Sequence, residues 1–119
     1  MKETILSIAK WHEETFPDAT LEGQLKKYEE ERDEFISSDF KDLSELADMF
    51  IVACGIARFD IKLGFSALLN VSFWRSFIKM QDFDKDNFVK VIEQKMEKNR
   101  KRVWTKTAEG SYHHVNKEN

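Results

Sequence analysis

Hydrophobic residues recur along this chain at the three- and four-residue spacing of amphipathic helices, and polar stretches separate five such segments. The predicted helices cover residues 4–14, 21–36, 42–61, 65–80 and 88–102. Only one Pro and four Gly interrupt the sequence, whereas a β-sandwich or barrel needs frequent turn residues. The pattern therefore predicts an all-α fold, a compact helical bundle of about five helices.

Helix-breaking and capping residues set the expected boundaries. Pro17 ends the first helix, Thr20 can cap the second, and Gly64 separates the third helix from the fourth. Residues 82–86 have the composition of a turn. The chain from about residue 104 onward is mostly polar, so we expect this tail to be irregular in part.

The third and fourth helices carry more apolar surface than one core-facing side needs. From Met49 to Ala57 the third helix has no charged residue, which is typical of a helix buried on all sides. The fourth helix has one apolar stripe made of Phe65, Leu68, Leu69, Phe73, Phe77 and Met80. Trp74 and Ile78 lie on other sides of that helix, so we expect a second copy of the chain to cover them. The alternative is a fourth helix buried on all sides within one chain.

Composition and charge narrow the functional classes. A hydrophobic fraction of 41% with ten Phe supports one packed domain over residues 1–119. The net charge of -3 argues against binding to nucleic acid. No uncharged apolar run reaches the roughly 18 residues of a membrane span, so we expect no membrane association and a cytoplasmic location. Cys54 lies in an apolar run and is interpreted as a core residue.

Two pairs of acidic residues are placed where they can meet. In the third helix, Glu45 and Asp48 project in the same direction as its buried apolar residues. In the second helix, Glu31 and Glu34 are also three residues apart, and Glu31 borders the apolar face. Antiparallel packing would bring the four carboxylates together, and a divalent cation would relieve their repulsion. Oxygen ligands suit Mg²⁺ or Mn²⁺, which commonly complete their shells with substrate phosphates.

A polar and cationic set on the last helix complements these acids. Lys95, Asn99 and Arg102 fall on its apolar face, where Lys and Arg could neutralise phosphate oxygens. Each set taken alone has a simpler interpretation, because acidic pairs usually form solvated faces and Lys or Arg near a helix end usually extends to solvent. His12, on the apolar face of the first helix, is interpreted as a core histidine. The acidic residues of the second and third helices, combined with the Lys and Arg side chains of the last helix, favour a phosphate-binding site.

Missing motifs exclude several other chemistries. None of the three His residues has a Glu three positions before it, so the Glu-x-x-His pairs of a di-iron bundle are absent. The sequence also lacks the glycine-rich P-loop and Rossmann patterns, the C-x-x-C pair of zinc ribbons and the G-x-S-x-G of serine hydrolases. The acidic and cationic sets therefore remain as the candidate functional residues.

The acidic segments resemble a known signature. The sequence EExxE at residues 30–34, followed by ExxD at 45–48 on an apolar helix, is similar to the motifs of MazG-like nucleotide pyrophosphohydrolases. Further matches are Thr15-Phe16-Pro17, Lys95-x-x-x-Asn99-x-x-Arg102-x-Trp104 and His114-Val115. Together they resemble the small branch of dATP/dGTP pyrophosphohydrolases that is common in phages. The similarity covers nearly the whole chain outside the fourth helix.

The resemblance implies an all-α, Mg²⁺-dependent enzyme that hydrolyses a nucleoside triphosphate between its α and β phosphates, giving a monophosphate and pyrophosphate. The implied site consists of the metal ligands Glu31, Glu34, Glu45 and Asp48, the assisting acid Glu30, and the phosphate contacts Lys95, Asn99 and Arg102. The family also typically forms dimers or tetramers, which implies a homo-oligomer. The alternative from a different class is a non-catalytic helical interaction protein that uses an acidic patch and a Phe-rich helix.

Overall fold

Five helices and a small strand pair make up the part of the protein that the structure describes. The computed structural model describes residues 2–80, 87–106 and 112–114, and the predicted turn over 82–86 lies outside these ranges. The elements, in chain order, are α1 (Lys2–Thr15), α2 (Leu21–Ser37), α3 (Leu43–Phe59), α4 (Ile61–Met80), α5 (Asn87–Lys101), β1 (Trp104–Lys106) and β2 (Tyr112–His114). The predicted all-α bundle is confirmed. Among the described helices, none combines the length and apolar content needed to cross a membrane.

Helix α3 is the centre of the bundle and packs against α1, α2, α4 and α5. Residues 49–56 of α3 are all buried, which confirms the prediction from its uncharged sequence. The helix starts after Asp42, whose side chain accepts a hydrogen bond from the Ser44 backbone N–H at 2.9 Å. This start places Glu45 and Asp48 in the first two turns, before the fully buried stretch begins.

The connection between α2 and α3 reverses the chain sharply. Thr20 caps α2 as predicted, with its side chain accepting from the Gly23 backbone N–H at 3.0 Å. At the other end of α2, Asp39 and Phe40 both adopt left-handed backbone conformations, with φ of 64° and 59°. The Phe40 ring stacks on Trp74 with ring centroids 4.7 Å apart, which anchors the reversal. The acidic segments of α2 and α3 are thereby brought side by side.

Gly64 does not break the chain, contrary to the sequence prediction. The break between α3 and α4 falls at Asp60, whose side chain accepts from the Leu63 backbone N–H at 3.0 Å. Gly64 lies inside α4, and a Cβ added there would be 2.4 Å from the Cβ of Ala57. The glycine therefore permits a close approach of α4 to α3.

The predicted orientation of α4 is wrong, because Ile78, which was expected to need cover from a second copy, is buried, whereas most of the predicted apolar stripe is exposed. This exposure also excludes the alternative of an α4 buried on all sides within one chain. The side toward α3 carries the buried residues Ala67, Val71 and Ile78. Trp74 is half-buried and packs on the rings of Phe35 and Phe40. The exposed side is an apolar stripe of Ile61, Phe65, Leu69, Phe73 and Phe77. Small residues on one side let α4 approach α3 closely, and the bulky aromatic residues are left outside.

The tail after α5, which was predicted to be irregular in part, contains a pair of short strands that the sequence did not predict. β1 and β2 are antiparallel, with Trp104 opposite His114 and Lys106 opposite Tyr112. Strands of three residues are too short to give a periodic signal in the sequence. The Trp104 ring packs edge-on against Phe16, with centroids 5.0 Å apart, so β1 lies against the end of α1.

Candidate functional site

A cavity of about 270 Å³ opens between α1, α2, α3, α5 and β1. Its acidic end is formed by Glu31, Glu34 and Asp48, with Glu45 adjoining. Its aromatic end is formed by Trp11, His12, Phe16, Gln24 and Trp104. Lys27, Lys95, Asn99 and Arg102 also line it. One concave site thus combines carboxylates, cations and aromatic rings.

Three carboxylates converge at the acidic end. One oxygen from each of Glu31, Glu45 and Asp48 lies within 4.8 Å of the others, and we call these residues the acidic group. Glu31 is only 8% exposed. In the part of the chain that the structure describes, Glu31 Oε2 and Glu45 Oε2 are buried without a hydrogen-bond partner. Unsatisfied buried oxygens are unfavourable, and a bound cation would satisfy them.

The environment of the acidic group favours protonated carboxyls. Burial, followed by the charge of Asp48, raises the pKa of Glu31 to about 8. Burial, followed by a hydrogen bond that the protonated Glu45 would donate to Glu34, raises the pKa of Glu45 to about 7. The pKa of Asp48 is also raised, because burial outweighs the opposing charge of Lys95. Near neutral pH the group therefore holds protons that a bound divalent cation would displace.

Cations partly offset the repulsion within the acidic group. Lys95 Nζ lies 3.1 Å from Asp48 Oδ2, and Lys27 Nζ lies 3.4 Å from Glu31 Oε1. Arg102 Nη1 donates to the Oδ1 of the buried Asn99 at 3.0 Å. The three predicted phosphate contacts therefore all line the cavity, with Lys95 and Asn99 on α5 and Arg102 directly after its last residue.

Glu30 and Glu34, the other two predicted acids, differ in their relation to the cavity. Glu34 is exposed on α2 but borders the cavity, and its carboxyl is close enough to Glu45 to help raise the pKa of Glu45. Glu30 does not line the cavity; its side chain is 42% exposed, and its Oε1 is 3.9 Å from Lys27 Nζ. A shift of one residue turns a side chain by about 100° around a helix, which separates Glu30 from its neighbour Glu31.

The aromatic end contains residues that sequence reasoning did not assign to a site. Trp11, Gln24 and Lys27 were not singled out, and His12 was interpreted as a core residue. His12 is buried, as expected of a core histidine, but it also lines the cavity. The available signal was Gly55, a glycine in the middle of an apolar helix. A Cβ there would lie 2.8 Å from Gln24 Oε1 and 3.0 Å from His12 Nε2.

The structure confirms that Cys54 is a core residue. It is fully buried within α3, and burial raises the pKa of its thiol to about 12. A thiol with such a pKa is not a nucleophile near neutral pH. Cys54 therefore offers no nucleophile to the neighbouring cavity.

Comparisons with protein-family models, curated proteins and solved structures found no match to this chain. The MazG-like resemblance therefore rests on the motif residues alone and stays a prediction. The geometry of the cavity supplies independent grounds for a functional proposal.

Proposed function

We propose that this protein is a Mg²⁺-dependent nucleoside triphosphate pyrophosphohydrolase, acting on deoxynucleotides or related nucleotides. It would cleave between the α and β phosphates to give a monophosphate and pyrophosphate. The observation that carries this proposal is the arrangement of the acidic group, with Glu31 buried and Glu45 and Asp48 half-buried, beside the cavity residues Lys95, Asn99 and Arg102. Binding of a polyphosphate requires both groups. The carboxylates would hold metal ions, and these ions together with the positive side chains would neutralise the negative charge of the phosphates.

The donor set fits a hard divalent cation. Glu31, Glu45 and Asp48 offer converging oxygens, two buried oxygens of the group have no partner among the described residues, and Glu34 lies beside them. We assign these four acids as the residues that would hold Mg²⁺, with Mn²⁺ as a substitute. Bound Mg²⁺ would lower the pKa of a coordinated water and polarise phosphate oxygens.

The residues of the chain then have distinct tasks in hydrolysis. Water adds to the α phosphorus while the bond to the oxygen bridging the α and β phosphates breaks, so that pyrophosphate leaves. A carboxylate of the site would help remove the proton of that water. Lys95 and Arg102 neutralise the leaving pyrophosphate. The ion pair with Asp48 holds the Lys95 ammonium at the cavity until a phosphate replaces the carboxylate.

The non-catalytic alternative draws on the exposed stripe of α4. An apolar surface of this kind favours contact with another protein chain. The proposed acidic patch, however, includes a Glu31 that is buried in a cavity instead of lying on a surface. The enzyme proposal accounts for this burial and for the facing cations, whereas a protein-binding patch requires neither.

We also propose that the chain forms a homo-oligomer, a dimer or tetramer, through the α4 stripe. Phe65 is 61% exposed and Leu69 is 70% exposed, and the stripe repeats every fourth residue along a helix of 20 residues. Such a helix is about 30 Å long, which is enough for two copies to pair along their stripes. A two-fold axis would let the same stripe cover both copies.

A panel of nucleotides tests the proposed activity. Deoxynucleoside and ribonucleoside triphosphates would be incubated with the protein and Mg²⁺, and products would be separated by anion-exchange chromatography. We expect at least one triphosphate to yield monophosphate and pyrophosphate, with no turnover in EDTA. A panel without any cleavage in Mg²⁺ or Mn²⁺, or products that are diphosphate and inorganic phosphate, would refute the proposal.

A further inference from the structure

His12 lies at the aromatic end of the cavity with a defined tautomer. Its ring is only 4% exposed, and Nδ1 lies 3.1 Å from Arg58 Nη1. A guanidinium has donors but no acceptor, so Nδ1 must be the acceptor in this hydrogen bond. The imidazole is therefore neutral, with its proton on Nε2.

Arg58 is itself held firmly behind the histidine ring. Its Nη1 donates to the backbone carbonyl of Phe16 at 2.8 Å, at the end of α1. Burial, with a further contribution from the Arg58 charge, lowers the pKa of His12 to about 4. The ring consequently stays neutral at physiological pH, and Arg58 fixes which nitrogen carries the proton.

The Nε2–H group is buried at the cavity without a well-formed hydrogen bond. Nε2 makes no hydrogen bond within normal distance and angle limits to any residue that the structure describes, although the Gln24 side chain is close enough to oppose part of the fall in the pKa of His12. Both groups lie over Gly55, where a Cβ would be 2.8 Å from Gln24 Oε1. A buried donor whose only neighbouring acceptor among the described residues is poorly aligned is unfavourable, so its presence at a cavity points to a ligand atom that accepts a hydrogen bond from it.

Aromatic rings enclose the same end of the cavity. Trp11 and Phe16 pack edge-to-face with centroids 5.2 Å apart, and Trp104 completes the group 6.1 Å from Trp11. The Trp104 indole N–H donates to the Asn99 carbonyl at 3.2 Å, which fixes its orientation. Rings held in this way suit a planar, aromatic ligand that can contact their faces and edges.

We propose that the aromatic end binds the nucleobase, with His12 Nε2–H as the specificity-determining donor to a base acceptor and Arg58 as its positioning residue. The ligand class is a planar heterocycle with a ring nitrogen or carbonyl acceptor beside an N–H donor, and Gln24 Oε1 accepts from that donor. The assignment to a nucleobase rests on the proposed function, which puts the phosphates at the acidic end.

The tautomer can be measured directly on the wild-type protein. ¹⁵N NMR of the imidazole nitrogens at pH 7 distinguishes a protonated from an unprotonated nitrogen, and the His12 signals are identified by their loss in His12→Phe. We expect the proton on Nε2 in the wild type and a mixture of tautomers in Arg58→Met. A proton on Nδ1 in the wild type, or an unchanged tautomer in Arg58→Met, would overturn the role of Arg58.

Recognition of the base can be measured without turnover. Calorimetry with Mg²⁺ would compare α,β-methylene analogues of the four deoxynucleoside triphosphates, which resist cleavage between the α and β phosphates, with inorganic tripolyphosphate, which has no base. We expect at least one analogue to bind at least tenfold more tightly than tripolyphosphate. His12→Phe should reduce this preference at least fivefold, while tripolyphosphate affinity stays within twofold.

Matched variants separate recognition from folding. Gln24→Met should also reduce the preference, and Glu13→Gln, at an exposed position of α1, should leave it unchanged. If His12→Phe does not fold, Gln24→Met carries the comparison. The proposal would be overturned if the wild type bound no analogue more tightly than tripolyphosphate. It would also be overturned if the variants weakened the binding of analogue and tripolyphosphate equally, or weakened neither. Because the analogues are not cleaved, absent turnover in the nucleotide panel would refute the proposed activity while base recognition is still measured separately.

Discussion

The two ends of the cavity are stabilised in opposite ways. At the acidic end, Glu31, Glu45 and Asp48 repel one another, and two buried oxygens of the group have no partner in the described part of the chain. At the aromatic end, groups outside the ring cluster hold its members, as Arg58 holds His12 and the Asn99 carbonyl holds Trp104. The acidic end carries a mutual repulsion that a bound cation would relieve, whereas the fold holds the rings of the aromatic end in place and, among the side chains described there, leaves only His12 Nε2 without a well-formed hydrogen bond.

This difference separates the effects of substitutions on activity and on stability. Removing a charge from the acidic end should weaken function and relieve repulsion in the metal-free protein. Removing a group from the aromatic end should weaken recognition without relieving any repulsion. Substitutions at the two ends can therefore be distinguished when activity and unfolding are measured on the same variants.

Asp48→Asn should have the largest effect on activity. The substitution keeps the size of the side chain but removes a proposed ligand, so we expect turnover below a hundredth of wild type. In EDTA the melting temperature should stay equal or rise, because the Asp48 charge adds to the repulsion at Glu31. Glu29→Gln, at an exposed position of α2, is the control and should change neither. Retention of more than a tenth of wild-type turnover by Asp48→Asn would argue against a ligand role.

Arg102→Met and Lys95→Met should have the next largest effect. A charge-assisted contact to phosphate is worth about 1.5 to 3 kcal/mol, which corresponds to a loss in kcat/KM on the order of a hundredfold. Lys98→Met, on the exposed side of α5, should retain wild-type kinetics. If the melting temperature falls while kcat/KM is unchanged, these two residues serve the fold instead.

Removal of the metal should make stability depend on pH in an unusual direction. In the folded state the pKa of Glu31 is about 8 and that of Glu45 about 7, against 4.5 when unperturbed. Between pH 5 and 8 the folded state binds more protons than the unfolded state, so the free energy of unfolding falls as pH rises. We expect a fall of about 2 to 4 kcal/mol in EDTA, mainly from the buried Glu31.

Urea unfolding at pH 5, 6, 7 and 8 measures this dependence. Saturating Mg²⁺ should abolish the fall, because it binds the deprotonated carboxylates. Glu31→Gln should remove most of the fall in EDTA without any metal. Stability in EDTA that increases over this range would contradict the raised pKa values at the acidic end.

The smallest expected effect on chemistry concerns the α4 stripe, which lies apart from the lining of the cavity. Phe73→Glu should shift the mass measured by light scattering from a dimer or tetramer toward the 14.1 kDa of one chain. Ser72→Glu, at a neighbouring exposed position outside the stripe, is the control. A wild-type mass of one chain at micromolar concentration would refute the oligomer proposal.

The sequence predicted the acidic end better than the aromatic end for a physical reason. Charged residues on an apolar helix face conflict with local hydrophobic periodicity, and this conflict marked Glu45, Asp48 and Lys95. A histidine on an apolar face creates no comparable conflict, so His12 was interpreted as a core residue. Its tautomer depends on Arg58, which is distant in sequence and close only in the folded chain.

The orientation of α4 shows a second limit of sequence reasoning. Both sides of this helix are apolar, so hydrophobicity alone does not decide which side is buried. The closeness of α4 to α3 at Gly64 and Ala57 decides it, and the sequence prediction treated Gly64 as a helix breaker instead. Small residues in a long apolar helix therefore deserve to be considered as packing contacts before they are treated as breaks.

Metal binding by the acidic group is the central claim, and a titration with Mn²⁺ tests it most directly. Electron paramagnetic resonance would follow the free ion as it is added to metal-free protein, independently of any turnover. We predict saturable binding that Mg²⁺ displaces and that the double variant Glu31→Gln, Asp48→Asn abolishes, while Glu29→Gln binds as the wild type does. Absence of binding in the wild type, or equal binding by the double variant, would contradict the assignment of this group as a metal site.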